Sequence, residues 1–165
     1  MVSLILPERI TGPRNDTNGS QTIASRPGAP TLIDCMLAPS PTSFKVRFQV
    51  TKILPEMQGD SLQEVCISNK TNVKYQCILQ VCDDHADLVL IIPNDVAEKI
   101  FGMSAPEAMK EIDNENISSK QRLARERLEY LVGRTVEGKI KSILMDGRKY
   151  FLLVDEPVLV ESFDF

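Results

Sequence analysis

The sequence has little of the material from which catalytic sites and nucleic-acid surfaces are usually built. It contains no Trp, 3 Tyr, 6 Phe and 1 His in 165 residues. Single-stranded nucleic acid is commonly held by bases that stack on aromatic side chains, so few such platforms are available. The net charge of -4 provides no general attraction for a polyanion, because non-specific affinity comes from neutralising phosphates. Any contact with nucleic acid must therefore be local.

Long hydrophobic runs and catalytic motifs are also absent. No segment approaches the roughly 20 apolar residues that span a bilayer, and residues 2–6 are too short for the core of a secretion signal. There is no phosphate-binding Gly-rich loop, no H-E-x-x-H and no nucleophile elbow, and the single His85 has no evident catalytic partner. The sequence therefore predicts an intracellular protein that is not an enzyme, contacts no membrane and takes no small-molecule substrate.

The four cysteines do not form a recognisable framework. Cys35, Cys66, Cys77 and Cys82 have spacings that match neither paired C-x-x-C zinc ligands nor a compact disulfide scaffold. We expect free, partly buried thiols, with no bound metal and no cofactor.

Composition divides the chain into an arm, a folded domain and a tail. Residues 1–42 are rich in Pro and Gly and predict a flexible or wrapping arm. Within the arm, the apolar residues between Leu32 and Leu37 suit one helical turn packed on the edge of the domain. Residues 43–160 form the predicted domain, and residues 161–165 a short tail.

Five segments of the domain show the apolar and polar alternation of half-buried strands. The strands are predicted at residues 44–54, 73–82, 88–92, 136–141 and 149–154. Between the third and fourth strands, a short helix at residues 96–101 is predicted to end at Gly102, with Asn94 or Asp95 as its cap. A longer helix follows at residues 118–132, and Asp146-Gly147 predicts the turn of the last hairpin.

Three strands, a helical insertion and a final hairpin is the element order of the OB-fold, a five-stranded Greek-key barrel. Gly138 within the fourth strand agrees with this fold, because a small barrel needs a residue without a side chain where a strand bends sharply. The sequence thus predicts a mainly β protein with helices. A mixed α+β sandwich is the main structural alternative.

Residues 31–160 resemble the C-terminal OB domain of protection-of-telomeres proteins, which bind single-stranded chromosome ends. The similarity is carried by SFKVRFQV at residues 43–50, by YQCILQVCDD at residues 75–84 leading into residues 88–95, and by the helix before the last two strands. OB domains of the replication-protein-A type share much of this pattern.

The resemblance implies a role in the nucleus, at the telomeres of chromosomes. In that family, this domain chiefly docks a shelterin partner that bridges the DNA-binding subunit to the rest of the complex, whereas upstream OB domains read most of the DNA sequence. Some members carry a Cys-rich zinc insertion that has no counterpart here, so no zinc is implied. The resemblance also implies that this chain is a fragment or a short paralogue.

The strand alternation suggests candidate residues for contact with single-stranded DNA. Phe44, Phe48 and Tyr75 are expected to face the core rather than to stack bases. Basic residues occupy the opposite strand face, where they can meet phosphates or simply remain solvated. These candidates are Lys45, Arg47, Lys74, Lys139 and Lys141.

A second set of residues is expected to contact a protein partner. Leu123 and Tyr130 fall off the main apolar stripe of the long helix, which leaves surplus apolar surface. Ile78 lies on the expected outer face of the barrel, and Phe163 and Phe165 lie in the acidic tail. Two functions therefore remain open. The first is a module of a telomere end-protection complex that docks a shelterin partner and supports the binding of single-stranded telomeric DNA. The second is a direct single-stranded DNA binder of the replication-protein-A type.

Overall fold

The computed structural model describes residues 12–13, 28–55, 66–69, 72–112 and 119–160. Nine strands and four helices lie in these ranges. In chain order they are β1 (Gly12–Pro13), α1 (Leu32–Leu37), β2 (Thr42–Leu54), β3 (Cys66–Asn69), β4 (Asn72–Tyr75), β5 (Cys77–Cys82), β6 (Ala86–Ile92), α2 (Asn94–Phe101), α3 (Ala105–Ile112), α4 (Ser119–Glu129), β7 (Thr135–Met145), β8 (Arg148–Leu153) and β9 (Val158–Leu159).

Five of these strands close into a barrel. The long strand β2 pairs antiparallel with both β5 and β7, and β5 pairs antiparallel with β6. The closure is made by β8, which runs antiparallel to β7 and parallel to β6. The circular order β2-β5-β6-β8-β7 is that of an OB-fold, with α2, α3 and α4 inserted between its third and fourth strands. The predicted fold class is confirmed.

The inward-facing side chains of the alternating strands fill the barrel, as the sequence predicts. Phe48 and Tyr75 are buried in the core, and Phe44 packs against it from a half-buried position. The predicted second strand is interrupted at Gln76, so that its first part, β4, pairs with β3 in a separate two-stranded sheet. The Tyr75 hydroxyl donates a hydrogen bond to the Met103 carbonyl oxygen at 3.0 Å, which joins this sheet to the helical insertion.

The helical insertion differs in detail from the prediction. Asn94 does not cap α2, because its side-chain oxygen accepts a hydrogen bond from the Tyr75 amide at 2.8 Å and Pro93 takes the cap position. The helix ends at Gly102 as expected, with φ of 76°. The sequence analysis missed α3, although Ser104 followed by Glu107 is the signature of a capping box. The Glu107 amide indeed donates to the Ser104 hydroxyl at 3.3 Å.

The helix α1 belongs to the same hydrophobic core as the barrel. Leu32 and Cys35 are buried, and the Leu32 amide donates to the carboxylate of Asp83 at 2.9 Å. At the other end of the helix, the Lys149 ammonium group donates to the carbonyl oxygens of Met36 and Ala38. The predicted helical turn on the domain edge is therefore present and is held at both ends. None of the described helices is both long and apolar enough to cross a membrane.

Gly138 lies where β7 passes close to two core side chains, Leu153 and Phe48. A Cβ atom at this position would lie 3.0 Å from Leu153 Cδ1 and 3.3 Å from the Phe48 ring. We expect Gly138→Ala to lower the free energy of unfolding by about 1–3 kcal/mol, measured by urea denaturation. Adding Leu153→Val removes one contacting methyl group, so the double variant should lose less than the sum of the two single variants. Strictly additive losses would contradict this account of the glycine.

Candidate functional site

The outer face of β2 and β7 carries a cluster of cationic side chains. Lys45 lies opposite Lys139 in the antiparallel register, and Lys141 lies one outward position further along β7. Arg47 follows Lys45 at the next outward position of β2. We call Lys45, Arg47, Lys139 and Lys141 the basic strip. Four of the five residues predicted to contact DNA are thus brought together.

Lys74 does not join the basic strip. It lies on β4, which pairs with β3 and packs near α2 and α3 instead of continuing the barrel strand. The interruption at Gln76 separates this position from the barrel sheet. Alternation alone could not reveal this, because the residues on both sides of the interruption keep the same apolar and polar pattern.

A carboxylate lies within the basic strip. Glu137 is opposite Arg47 in the register, and its Oε2 accepts a hydrogen bond from Arg47 Nε at 3.1 Å. Its Oε1 lies 3.2 Å from Lys45 Nζ. The hydrogen bonds from Arg47 and Lys45 lower the pKa of Glu137 below its ordinary value. The carboxylate is therefore charged at neutral pH and offsets part of the positive charge of the strip.

The barrel face that binds oligonucleotides in many OB-folds differs from the basic strip in its charge. That face is formed by the second and third barrel strands, which are β5 and β6 in this chain. Their outward positions alternate with the fully buried Leu79 and Leu90, and none of them is a lysine or arginine. The outward positions are Ile78, Gln80, Cys82, Asp87, Val89 and Ile91. This part of the barrel therefore offers phosphates no cation.

Ile78 lies on this outer face, as predicted, but it is only 5% exposed. It therefore offers a partner little accessible surface. Its register partner Ile91 and the neighbouring Val89 are also buried or half-buried.

An apolar groove of about 600 Å³ lies between α4 and residues 156–159. Its most exposed apolar side chains are Leu123, Tyr130 and Val158, with 49%, 53% and 67% of their surface accessible. The buried side chains of Ile100 and Leu131 form part of its lining. We call this site the α4 groove. It contains both residues of the long helix that were predicted to contact a partner.

The α4 groove follows from the helical repeat and from the position of β9. Leu123 and Tyr130 are separated by two helical turns, whereas Ala124 and Leu128 face the core. The strand β9 pairs with the beginning of β7, where Leu159 lies opposite Val136. This pairing places Val158 beside α4 and completes the groove.

Charged groups surround the apolar lining of the α4 groove. Glu126, Arg127 and Glu156 contribute two carboxylates and one guanidinium group. Tyr130 is held in position by Arg134, whose guanidinium carbon lies 4.1 Å from the centre of the tyrosine ring. The groove is thus an amphipathic site whose apolar lining is bordered by both carboxylate and guanidinium groups.

The remaining candidate positions are the two phenylalanines of the tail and the single histidine. Phe163 and Phe165 lie outside the described residues. The His85 amide donates to the carboxylate of the buried Asp83 at 2.8 Å, which is a turn interaction. Within the described ranges, no three His, Cys, Asp or Glu residues are grouped as metal ligands.

The four cysteines are free thiols in this structure. Burial raises the pKa of Cys35 and of Cys77 to about 12, and that of Cys66 to about 11. All three are therefore protonated thiols at neutral pH, the form with little nucleophilic character.

Glu137 and Val158 are among the site residues that were not predicted from the sequence. Glu137 becomes part of the basic strip only when the register places it beside Arg47, and Val158 becomes part of the groove only through the pairing of β9. Both depend on contacts between segments that are distant in sequence. The position of Glu137 two residues before Lys139, on the same face of the strand, was a usable signal for the first, whereas no local pattern marks the second.

No protein-family model matches this chain, and no curated protein matches its sequence significantly. Among solved structures, it is similar to a chain of a replication protein A heterotrimer bound to single-stranded DNA, with 16% identity and a TM-score of 0.48 over 81% of this chain and 36% of that chain. It is similar to a chain of yeast replication protein A bound to single-stranded DNA, with 14% identity and a TM-score of 0.48 over 88% and 92% of the two chains. It is also similar to a chain in the structure of fission yeast Pot1 and Tpz1, with 11% identity and a TM-score of 0.45 over 84% and 96%.

Proposed function

We propose that this protein is a docking module of a telomere end-protection complex, which binds a shelterin bridging protein through the α4 groove. It acts by binding, without catalysis, in the nucleus at chromosome ends. The observation that carries the docking function is the convergence of three exposed apolar side chains, Leu123, Tyr130 and Val158, on one groove. The resemblance of residues 43–50 and 75–84 to protection-of-telomeres proteins supports the choice of complex.

The chemistry of the α4 groove favours one kind of occupant, an amphipathic helix of the partner. Leu123 and Tyr130 are seven residues apart, so the exposed apolar surface extends about 10 Å along α4. A partner helix of two or three turns can lay its apolar stripe along this length. Glu126 and Glu156 at the groove favour basic residues beside that stripe, and Arg127 favours an acidic one.

The proposal is tested by measuring the affinity of the full chain for the bridging protein by isothermal titration calorimetry. We expect Leu123→Glu to weaken binding roughly a hundredfold, because it places a charge in the apolar contact. Leu144→Glu is the matched control, since Leu144 is 60% exposed near the other end of β7 and does not line the groove. It should change the affinity by less than about threefold.

Two results would count against docking through the α4 groove. One is the absence of any measurable binding between the wild-type chain and the bridging protein. The other is an equal loss of affinity in Leu123→Glu and Leu144→Glu, which would place the contact elsewhere or indicate a general effect of added negative charge.

Direct binding of single-stranded DNA is the second candidate function, and the basic strip is the observation that favours it. Fluorescence anisotropy with a labelled telomere-repeat oligonucleotide, at low and moderate salt, separates the two functions. We expect only weak binding, because β5 and β6 present no cation and Glu137 offsets part of the strip. Each phosphate contact to a single strand contributes a slope of about -0.7 in log K against log salt concentration. Tight binding with a slope equivalent to several contacts would favour the second function.

A further inference from the structure

The position of Glu137 within the basic strip resembles that of a bound anion. Its two carboxylate oxygens interact with different cations, Oε2 with Arg47 Nε at 3.1 Å and Oε1 with Lys45 Nζ at 3.2 Å. A phosphodiester also presents two charged oxygens, and arginine and lysine recognise both groups by the same charge-assisted hydrogen bonds. Glu137 therefore occupies the donors that a phosphate would use.

The rest of the strip remains accessible beside this pair. Lys139 and Lys141 are exposed on β7, and no ion pair of either one is found among the described residues. Ser43, opposite Lys141, adds an exposed hydroxyl group that can donate to an anion. The strip thus extends beyond the segment that Glu137 neutralises.

The charge of the strip differs in sign from that of the whole chain. Four cations and one carboxylate give the strip a net charge of +3, whereas the complete sequence carries -4. This outer face of β2 and β7 can therefore attract a polyanion locally, although the chain as a whole carries a net negative charge. The separation from β5 and β6 distinguishes this site from the face that OB-folds commonly use.

The dimensions of the strip favour a single nucleic-acid strand over a duplex. Outward residues on one β-strand repeat every ~6.8 Å, and the two paired strands lie about 4.8 Å apart. The cations therefore form a narrow row that one phosphodiester backbone can follow. A duplex presents twice the charge density along its axis and would bring its second strand against a chain of net negative charge.

We propose that the basic strip is a binding site for the backbone of single-stranded nucleic acid, and that Glu137 keeps it in a low-affinity state by competing for Lys45 and Arg47. A phosphate that enters must displace the carboxylate from these two side chains. This inference rests on the second candidate function, binding of single-stranded nucleic acid by the basic strip, and does not depend on protein docking at the α4 groove.

The test is Glu137→Gln in the full chain, titrated into a labelled oligothymidine with anisotropy detection. Glutamine keeps the shape of the side chain but gives up the negative charge. We expect binding to tighten roughly tenfold, which corresponds to about one charge-assisted hydrogen bond. The slope of log K against log salt concentration should steepen by about 1.4, the value for two additional phosphate contacts.

A matched control separates local competition from net charge. Glu129→Gln on α4 changes the total charge by the same amount and also breaks an ion pair, since Glu129 Oε1 lies 2.8 Å from Arg125 Nη2. It should tighten oligothymidine binding by less than about twofold, because Glu129 lies on α4 and has no ion pair with a residue of the basic strip among the described residues. Adding Lys45→Ala and Lys139→Ala to Glu137→Gln should abolish the gain.

The proposal is overturned if Glu137→Gln and Glu129→Gln have the same effect, if the salt slope does not change, or if the triple variant keeps the gain. An equal gain for duplex DNA would also overturn the assignment to a single strand. Glu137→Ser, which removes the charge with a smaller side chain, provides a second variant with the same expected gain if the glutamine variant does not fold.

Discussion

Replacement of Asp83 by alanine is expected to lower the free energy of unfolding by about 3 kcal/mol, because this buried carboxylate holds two parts of the fold together. Its Oδ1 accepts hydrogen bonds from the His85 and Ala86 amides at 2.8 and 2.9 Å, which shape the turn between β5 and β6. Its Oδ2 accepts from the Leu32 amide at 2.9 Å, at the start of α1. Alanine leaves all three amides without this acceptor.

Asp83→Asn is the informative control for this prediction. The asparagine oxygen can still accept the two hydrogen bonds of the turn, whereas its NH2 group cannot accept one from Leu32. We therefore expect an intermediate loss of stability, with α1 affected more than the turn. Urea denaturation followed by far-UV circular dichroism measures both variants, since the chain contains no Trp. A loss below about 1 kcal/mol for Asp83→Ala would show that water replaces the carboxylate at little cost.

Leu128→Ala is expected to lower the free energy of unfolding by about 2–5 kcal/mol, the range for removing a fully buried leucine side chain. Leu128 lies on the inner face of α4 and belongs to the core that this helix shares with the barrel. The change leaves a cavity at that point, and thermal or urea unfolding will report the loss. An effect below about 1 kcal/mol would mean that α4 contributes little to the core.

Leu123→Ala is the control on the same helix. Leu123 is half-exposed and lines the α4 groove, so its truncation should cost less than about 1 kcal/mol of stability. The two variants separate folding from docking, because Leu123→Ala should weaken partner binding while the domain remains stable. If both variants destabilise the protein equally, Leu123 belongs to the core and the groove is not a free surface.

The prediction of the OB-fold succeeded because strand alternation and element order are local properties of the chain. Residues 44–51 alternate with period two, and every second residue from Val46 to Val50 is buried. The same local rules identified the end of α2 at Gly102 and the turn at Asp146-Gly147, where both residues have positive φ. At such positions the residue types alone indicate which side chains are buried and which backbone angles are favoured.

The candidate sites depended on contacts that local patterns do not contain. Lys74 and Lys45 both alternate with apolar residues, but only Lys45 lies on a barrel strand next to β7. Ile78 faces outward as predicted, but its side chain is buried. The alternation within its own strand could not show this burial.

The sequence by itself determined the barrel and the faces of its strands, because apolar side chains must alternate inward wherever one side of a sheet is buried. Only the tertiary structure decided which outward residues meet. Strand register brings Glu137 between Lys45 and Arg47, and the return of β9 to β7 places Val158 beside Leu123 and Tyr130. The physical reason is that each of these contacts joins residues far apart in sequence, whose proximity follows from closing the barrel and not from the conformational preferences of either segment.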